Sequence, residues 1–69
     1  MNRTPVSSTN VASVGYDRTT LTLEVEFHSG SIYQYFDVPE AVYNELVSST
    51  TIGGYLNQHI KDSYRYVRL

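Results

Sequence analysis

The strongest constraint on this chain is a pair of alternating segments joined by a glycine turn. Across residues 20–27 apolar and polar side chains alternate, with Leu21, Leu23, Val25 and Phe27 on one side and Thr22, Glu24 and Glu26 on the other. A period of two over that length describes a strand buried on one face. His28-Ser29-Gly30-Ser31 follows, and Gly30 can take the positive φ that a two-residue hairpin turn requires. Residues 32–36 are the returning strand. With Ser29 and Gly30 at the centre of the turn, Phe27 faces Ile32, Val25 faces Gln34 and Leu23 faces Phe36, all toward the core. Cross-strand partners share a face, so this register sends Tyr33, opposite Glu26, and Tyr35, opposite Glu24, to the outer face. A slip of one residue would bury both tyrosines.

Residues 11–16 also alternate, and Asp17-Arg18-Thr19 is short and polar, as a hairpin loop should be. Residues 1–10 are polar, contain Pro5 and show no apolar period, so a loosely ordered lead-in is expected before a single domain over residues 11–69. Asp37-Val38-Pro39-Glu40 has the form of a helix start, with an Asp cap, a Glu three residues on and a Pro in the first turn. That helix should run to about Ser48 with Val38, Val42, Leu46, Tyr43 and Val47 on one stripe. Ile52, Leu56 and Ile60 recur at helical spacing and predict a second, shorter helix. Gly53-Gly54 weakens it by roughly 1 kcal/mol per glycine, a cost that close approach to the sheet or to the first helix would explain. Residues 63–69 alternate again and fit either a short terminal strand or an extended tail. The expected fold is therefore α+β: a three-stranded antiparallel meander with an amphipathic helix and a second short helix packed on one face, ending in a short C-terminal strand or an extended tail. Its expected core is Val14, Leu23, Val25, Phe27, Ile32, Phe36, Val42, Leu46, Leu56 and Ile60.

Composition narrows the function. At 69 residues without cysteine, the chain can form neither a disulfide nor a thiolate metal site. A chain this short buries only about 60% of its unfolded surface. No segment approaches the roughly 20 apolar residues of a membrane span, and residues 1–10 lack the order of a signal peptide, so a soluble, cytoplasmic protein with no membrane partner is expected. The formal net charge of -2 supplies no overall attraction to nucleic acid or anionic lipid. There is no nucleophile elbow, zinc-binding helix pair or phosphate loop. His59 and Asp62 share a helix face but are too few for a zinc site. Glu24 and Glu26 are expected to be solvated, and Gly53-Gly54, lacking a following Lys, reads as packing more readily than as an anion cradle. Neither an enzyme nor a cofactor is expected.

Seven tyrosines remain as the unusual component. Tyr33 and Tyr35, side by side on an exposed sheet face, would form a stacking platform for single-stranded RNA or tRNA, with Lys61, Arg65 and Arg68 as phosphate contacts. The alternative is a protein-interaction or homodimerisation module that uses the same face or a sheet edge. Taken together, Pro5-Val6-Ser7-Ser8-Thr9-Asn10-Val11, Val14-Gly15-Tyr16-Asp17, Leu23-Glu24-Val25-Glu26-Phe27, Ser29-Gly30, Tyr33-Gln34-Tyr35-Phe36, Val38-Pro39 and the run from Gly53 to Lys61 resemble the KTSC domain. That family is named for its occurrence at the C-terminus of some lysyl-tRNA synthetases and also stands alone in small bacterial proteins. The resemblance implies a small non-catalytic module with RNA as its suspected ligand, and its Tyr-x-Tyr motif falls on Tyr33 and Tyr35. The chain departs from more basic members at Ser31, Gln34 and Gly53.

Overall fold

The computed structural model describes residues 1–69. Strands β1 (Thr4–Pro5), β2 (Val11–Asp17), β3 (Thr22–Phe27) and β4 (Ile32–Tyr35) are followed by helix α1 (Glu40–Ser48) and helix α2 (Ile52–Tyr55). Helix α2 continues as a π-helical stretch, Leu56–Ile60, before β5 (Tyr66–Arg68). All pairings are antiparallel, and the sheet has five strands in the order β1-β2-β3-β4-β5. The fold is thus small α+β, and of the two forms open to residues 63–69 the chain takes the strand, paired with β4.

Both helices lie on one face of the sheet. Val11, Val14, Leu23, Val25 and Tyr35 point to that face and meet Val38, Leu46, Ile52, Leu56 and Ile60. A bulge between Val11 and Ser13 lets Val11 and Val14, an odd number of residues apart, share the inner side. Six of the expected core residues are in this set. Phe27 and Val42 pack against it half-buried, whereas Ile32 and Phe36 are only partly covered and lie outside it.

The last difference comes from the turn. The Phe27 N–H donates to Ser31 O at 2.9 Å and the Gly30 N–H donates to Phe27 O at 2.9 Å. The loop is therefore His28-Ser29-Gly30, three residues long, with Gly30 at φ 95. A type I turn closed by a left-handed glycine has this form. The extra loop residue moves β4 by one position, so Glu26 faces Ile32, Val25 faces Tyr33, Glu24 faces Gln34 and Leu23 faces Tyr35. Tyr33 and Tyr35 thus lie on the helix side of the sheet, not on its outer face.

Two further expectations change. Helix α1 begins three residues after Asp37, because the proline holds Val38 extended and Pro39 itself becomes the cap, without a side-chain bond. Asp37 takes φ 59, which turns the chain so that Val38 is fully buried and its N–H donates to Leu21 O at 2.9 Å. The lead-in is tied down in part: Thr4 and Pro5 pair with Val14 and Ser13, and the Val6 N–H donates to Ala12 O. The segment before β1 crosses Gly15, where an added Cβ would sit 2.5 Å from Asn2 O. Gly53, by contrast, faces Asn10 and Ser8 rather than the sheet or α1, and an added Cβ at Gly54 would meet the Thr51 hydroxyl at 2.9 Å. No helix is long and apolar enough to cross a membrane.

Candidate functional site

The inner face is not fully covered by helix. Beyond α2 the β4–β5 half of the sheet stays open and forms a groove of about 310 Å³. Its floor is tyrosine. Register sets Tyr66 opposite Tyr35 and Arg68 opposite Tyr33, so all four share one face. The Tyr33 and Tyr35 rings stack at 6.3 Å between centroids, and Tyr66 tilts over both at 5.7 and 5.8 Å. Phe27 meets Tyr33 edge-on at 5.6 Å. Exposure rises along the row: Tyr35 is 3% exposed, Tyr33 half-buried and Tyr66 55% exposed.

The polar wall comes from the end of the π-helical stretch, where the Lys61 N–H bonds Leu56 O at 2.8 Å. Asn57, Lys61 and Asp62 project there, with Ser29 and Ser31 across from them. Arg68 reaches Ser31 Oγ at 3.0 Å at the groove's rim. Burial raises the Tyr35 hydroxyl above its ordinary pKa, and Tyr33, Tyr66 and the Asp62 carboxylate add to the rise. The hydroxyl therefore stays protonated at neutral pH, a hydrogen-bond donor and not a nucleophile.

The site residues expected from sequence are divided by the sheet. Tyr33, Tyr35, Lys61 and Arg68 belong to the groove. Arg65 does not: it lies over the Phe36 ring at 5.2 Å, on the outer face, 3.9 Å from Asp37. Sequence reasoning missed Tyr66, although its place two residues before Arg68 in an alternating segment was a usable signal.

The outer face carries a different device. Glu24 is 6% exposed despite having no helix above it. Arg3 pairs with its carboxylate and also donates to Ser13 Oγ at 3.1 Å, and Gln34 donates to Glu24 Oε1 at 2.8 Å. Burial alone would raise the Glu24 pKa, but the bonds from Gln34 and Arg3 and the positive charge of Arg3 and the amino terminus outweigh it and hold the carboxyl below its usual range. The expectation of a solvated Glu24 is corrected accordingly. Elsewhere Tyr55 donates to Glu45 Oε1 at 2.6 Å, joining α2 to α1, and this bond with burial pushes its pKa up to about 12. A second hollow of about 320 Å³ lies between residues 7–10 and the start of α2, lined by hydroxyls, amides and glycines with no cation.

Ion pairing separates the cations further. Arg3 pairs with Glu24 and Glu26, Arg18 with Glu40, and Arg65 with Asp37. Lys61 and Arg68 pair with no carboxylate, and of the seven acidic residues only Asp62 lines the groove.

This fold and sequence have known relatives. An uncharacterized protein of Stutzerimonas stutzeri is 40% identical over 70 residues, covering all of this chain and 99% of that one. A lysine–tRNA ligase of Trichormus variabilis is 44% identical over 54 residues, which span 78% of this chain but 10% of the ligase. The crystal structure of a KTSC domain protein from Yersinia pestis superposes with a TM-score of 0.96 at 32% identity, covering 99% of this chain and 96% of that one. The KTSC domain model matches residues 7–64, so the chain belongs to the KTSC domain family.

Proposed function

We propose that this chain is a non-catalytic module that binds single-stranded RNA or a tRNA end in the tyrosine groove. The carrying observation is that the cations without a carboxylate partner, Lys61 and Arg68, both flank the groove whose floor is Tyr33, Tyr35 and Tyr66. Tyr66, with the half-buried Tyr33, gives bases a sequence-tolerant aromatic surface backed by the buried Tyr35, and the unpaired cations alongside meet the phosphates. The net charge of -2 does not argue against this as a whole-chain number would suggest, because the acidic residues other than Asp62 lie outside the groove. The occurrence of a similar segment within a lysine–tRNA ligase is consistent with a role next to RNA.

Titrating labelled single-stranded RNA and tRNA at low salt tests the reading. Micromolar or weaker binding is expected, with Tyr66→Ala costing ~1-3 kcal/mol for one lost stack. Absence of binding at low salt ends it.

A second reading rests on the β5 edge. The Phe36 N–H donates to Arg65 O and the Leu69 N–H to Ile32 O, so the odd-numbered residues of β5 face β4. Alternation then turns the backbone N–H and C=O of Tyr66 and Arg68 to the open edge. A second copy pairing antiparallel about Val67 would set Tyr66 opposite the partner's Arg68 and continue the sheet. Light scattering at rising concentration decides this: a dimer mass supports it, and a monomer throughout removes it.

A further inference from the structure

Asp62 is the groove residue that a stack of rings and phosphates leaves unexplained. It lies on the groove wall, exposed, without an ion-pair or side-chain hydrogen-bond partner, although Lys61 is its neighbour in sequence. It lines the same groove as Tyr33, Tyr35 and Tyr66, so its carboxylate faces the space that a base on the tyrosine floor would fill. A free carboxylate repels phosphate, so in an RNA groove it needs a base that supplies donors.

The four bases differ in what they offer it. Guanine presents N1–H and the N2 amino group side by side, two donors that match the two oxygens of one carboxylate. Uracil offers N3–H between two carbonyls, whereas adenine and cytosine each offer an amino group next to a ring acceptor. Each of those edges would set an acceptor against Asp62. Asn57, on the same wall, adds an amide able to donate to guanine O6.

We infer that the groove prefers guanine, with the base on the tyrosine floor and its Watson–Crick edge against Asp62. This rests on the RNA-binding reading and specifies its ligand.

The test uses fluorescence anisotropy at low salt with short oligouridines carrying one central uridine, guanine, adenine or inosine, and with guanosine monophosphate as competitor. Inosine keeps N1–H and O6 but lacks the N2 amine. The guanine oligomer should bind about tenfold more tightly than the adenine or inosine oligomer, in line with a bidentate base contact. Asp62→Asn, at an exposed position and checked for an unchanged melting curve, should erase that preference without weakening the all-uridine oligomer. Binding without a guanine preference, or a preference that survives Asp62→Asn, overturns the guanine assignment and leaves the RNA-binding reading intact. Absence of binding to every oligomer overturns both. Competition by guanosine monophosphate at the affinity of the guanine oligomer supports guanine recognition and assigns the groove to a free nucleotide instead of a strand.

Discussion

Glu24 shows how one side chain can be read correctly for direction and wrongly for environment. Alternation placed it on the outer face, where it is, but its cover comes from Arg3, 21 residues away, and no local pattern encodes that contact. The pairing has a consequence for acid stability. A carboxyl whose folded-state pKa is depressed contributes stability that is complete above its unfolded pKa and lost as pH falls through the folded value. The thermal midpoint of the wild type should therefore fall on acidification below the usual carboxylate range. Glu24→Gln should begin lower at neutral pH and show a shallower acid decline, so that the two curves converge at low pH. Parallel curves from thermal melts across that range would show that Glu24 carries no such linkage. Tyr33 and Tyr35 are the opposite case: their motif was visible, and their side of the sheet was not.

Strand β4 explains why. Two-residue and three-residue loops both accept a left-handed glycine, so Gly30 marks the turn without fixing its length. In Ile32-Tyr33-Gln34-Tyr35-Phe36 either phase offers bulky residues to a core, so periodicity could not choose between registers. The longer phase of β3 and the apolar stripes of the two helical segments, Leu46 in one and Leu56 with Ile60 in the other, were legible because one side of each was clearly apolar, whereas the bulge between Val11 and Ser13 interrupts the period of β2. Strand β1 was illegible for another reason: two residues containing a proline carry no period, and the strand exists through Val14, Ser13 and the close passage over Gly15. Gly15→Ala should lift that crossing, since the new Cβ would meet backbone at 2.5 Å. Amide hydrogen exchange should then quicken at Val6, with β3 and β4 still protected. Unchanged protection at Val6 would mean the crossing does not hold the edge strand.

Across the whole molecule, charge is partitioned in a way that a net value conceals. Lys61, Arg65 and Arg68 looked like one basic group in sequence, yet residues three apart in an extended strand point to opposite faces, which is why Arg65 and Arg68 part company. If two cations meet phosphate, the slope of log K against log salt should be about -1.4, from roughly -0.7 per phosphate on a single strand. Lys61→Ala should lower its magnitude by about 0.7, and Arg65→Ala should leave it unchanged. A steeper slope that depends on Arg65 would move the interface to the outer face. The crossing over Gly15 also gives the domain a mounting side and a working side. A polypeptide joined ahead of Met1 arrives on the sheet's outer face, away from the tyrosines, whereas one joined after Leu69 leaves next to Arg68. A carrier enzyme or an affinity tag attached upstream thus leaves the groove turned outward, and the same attachment downstream stands at its rim.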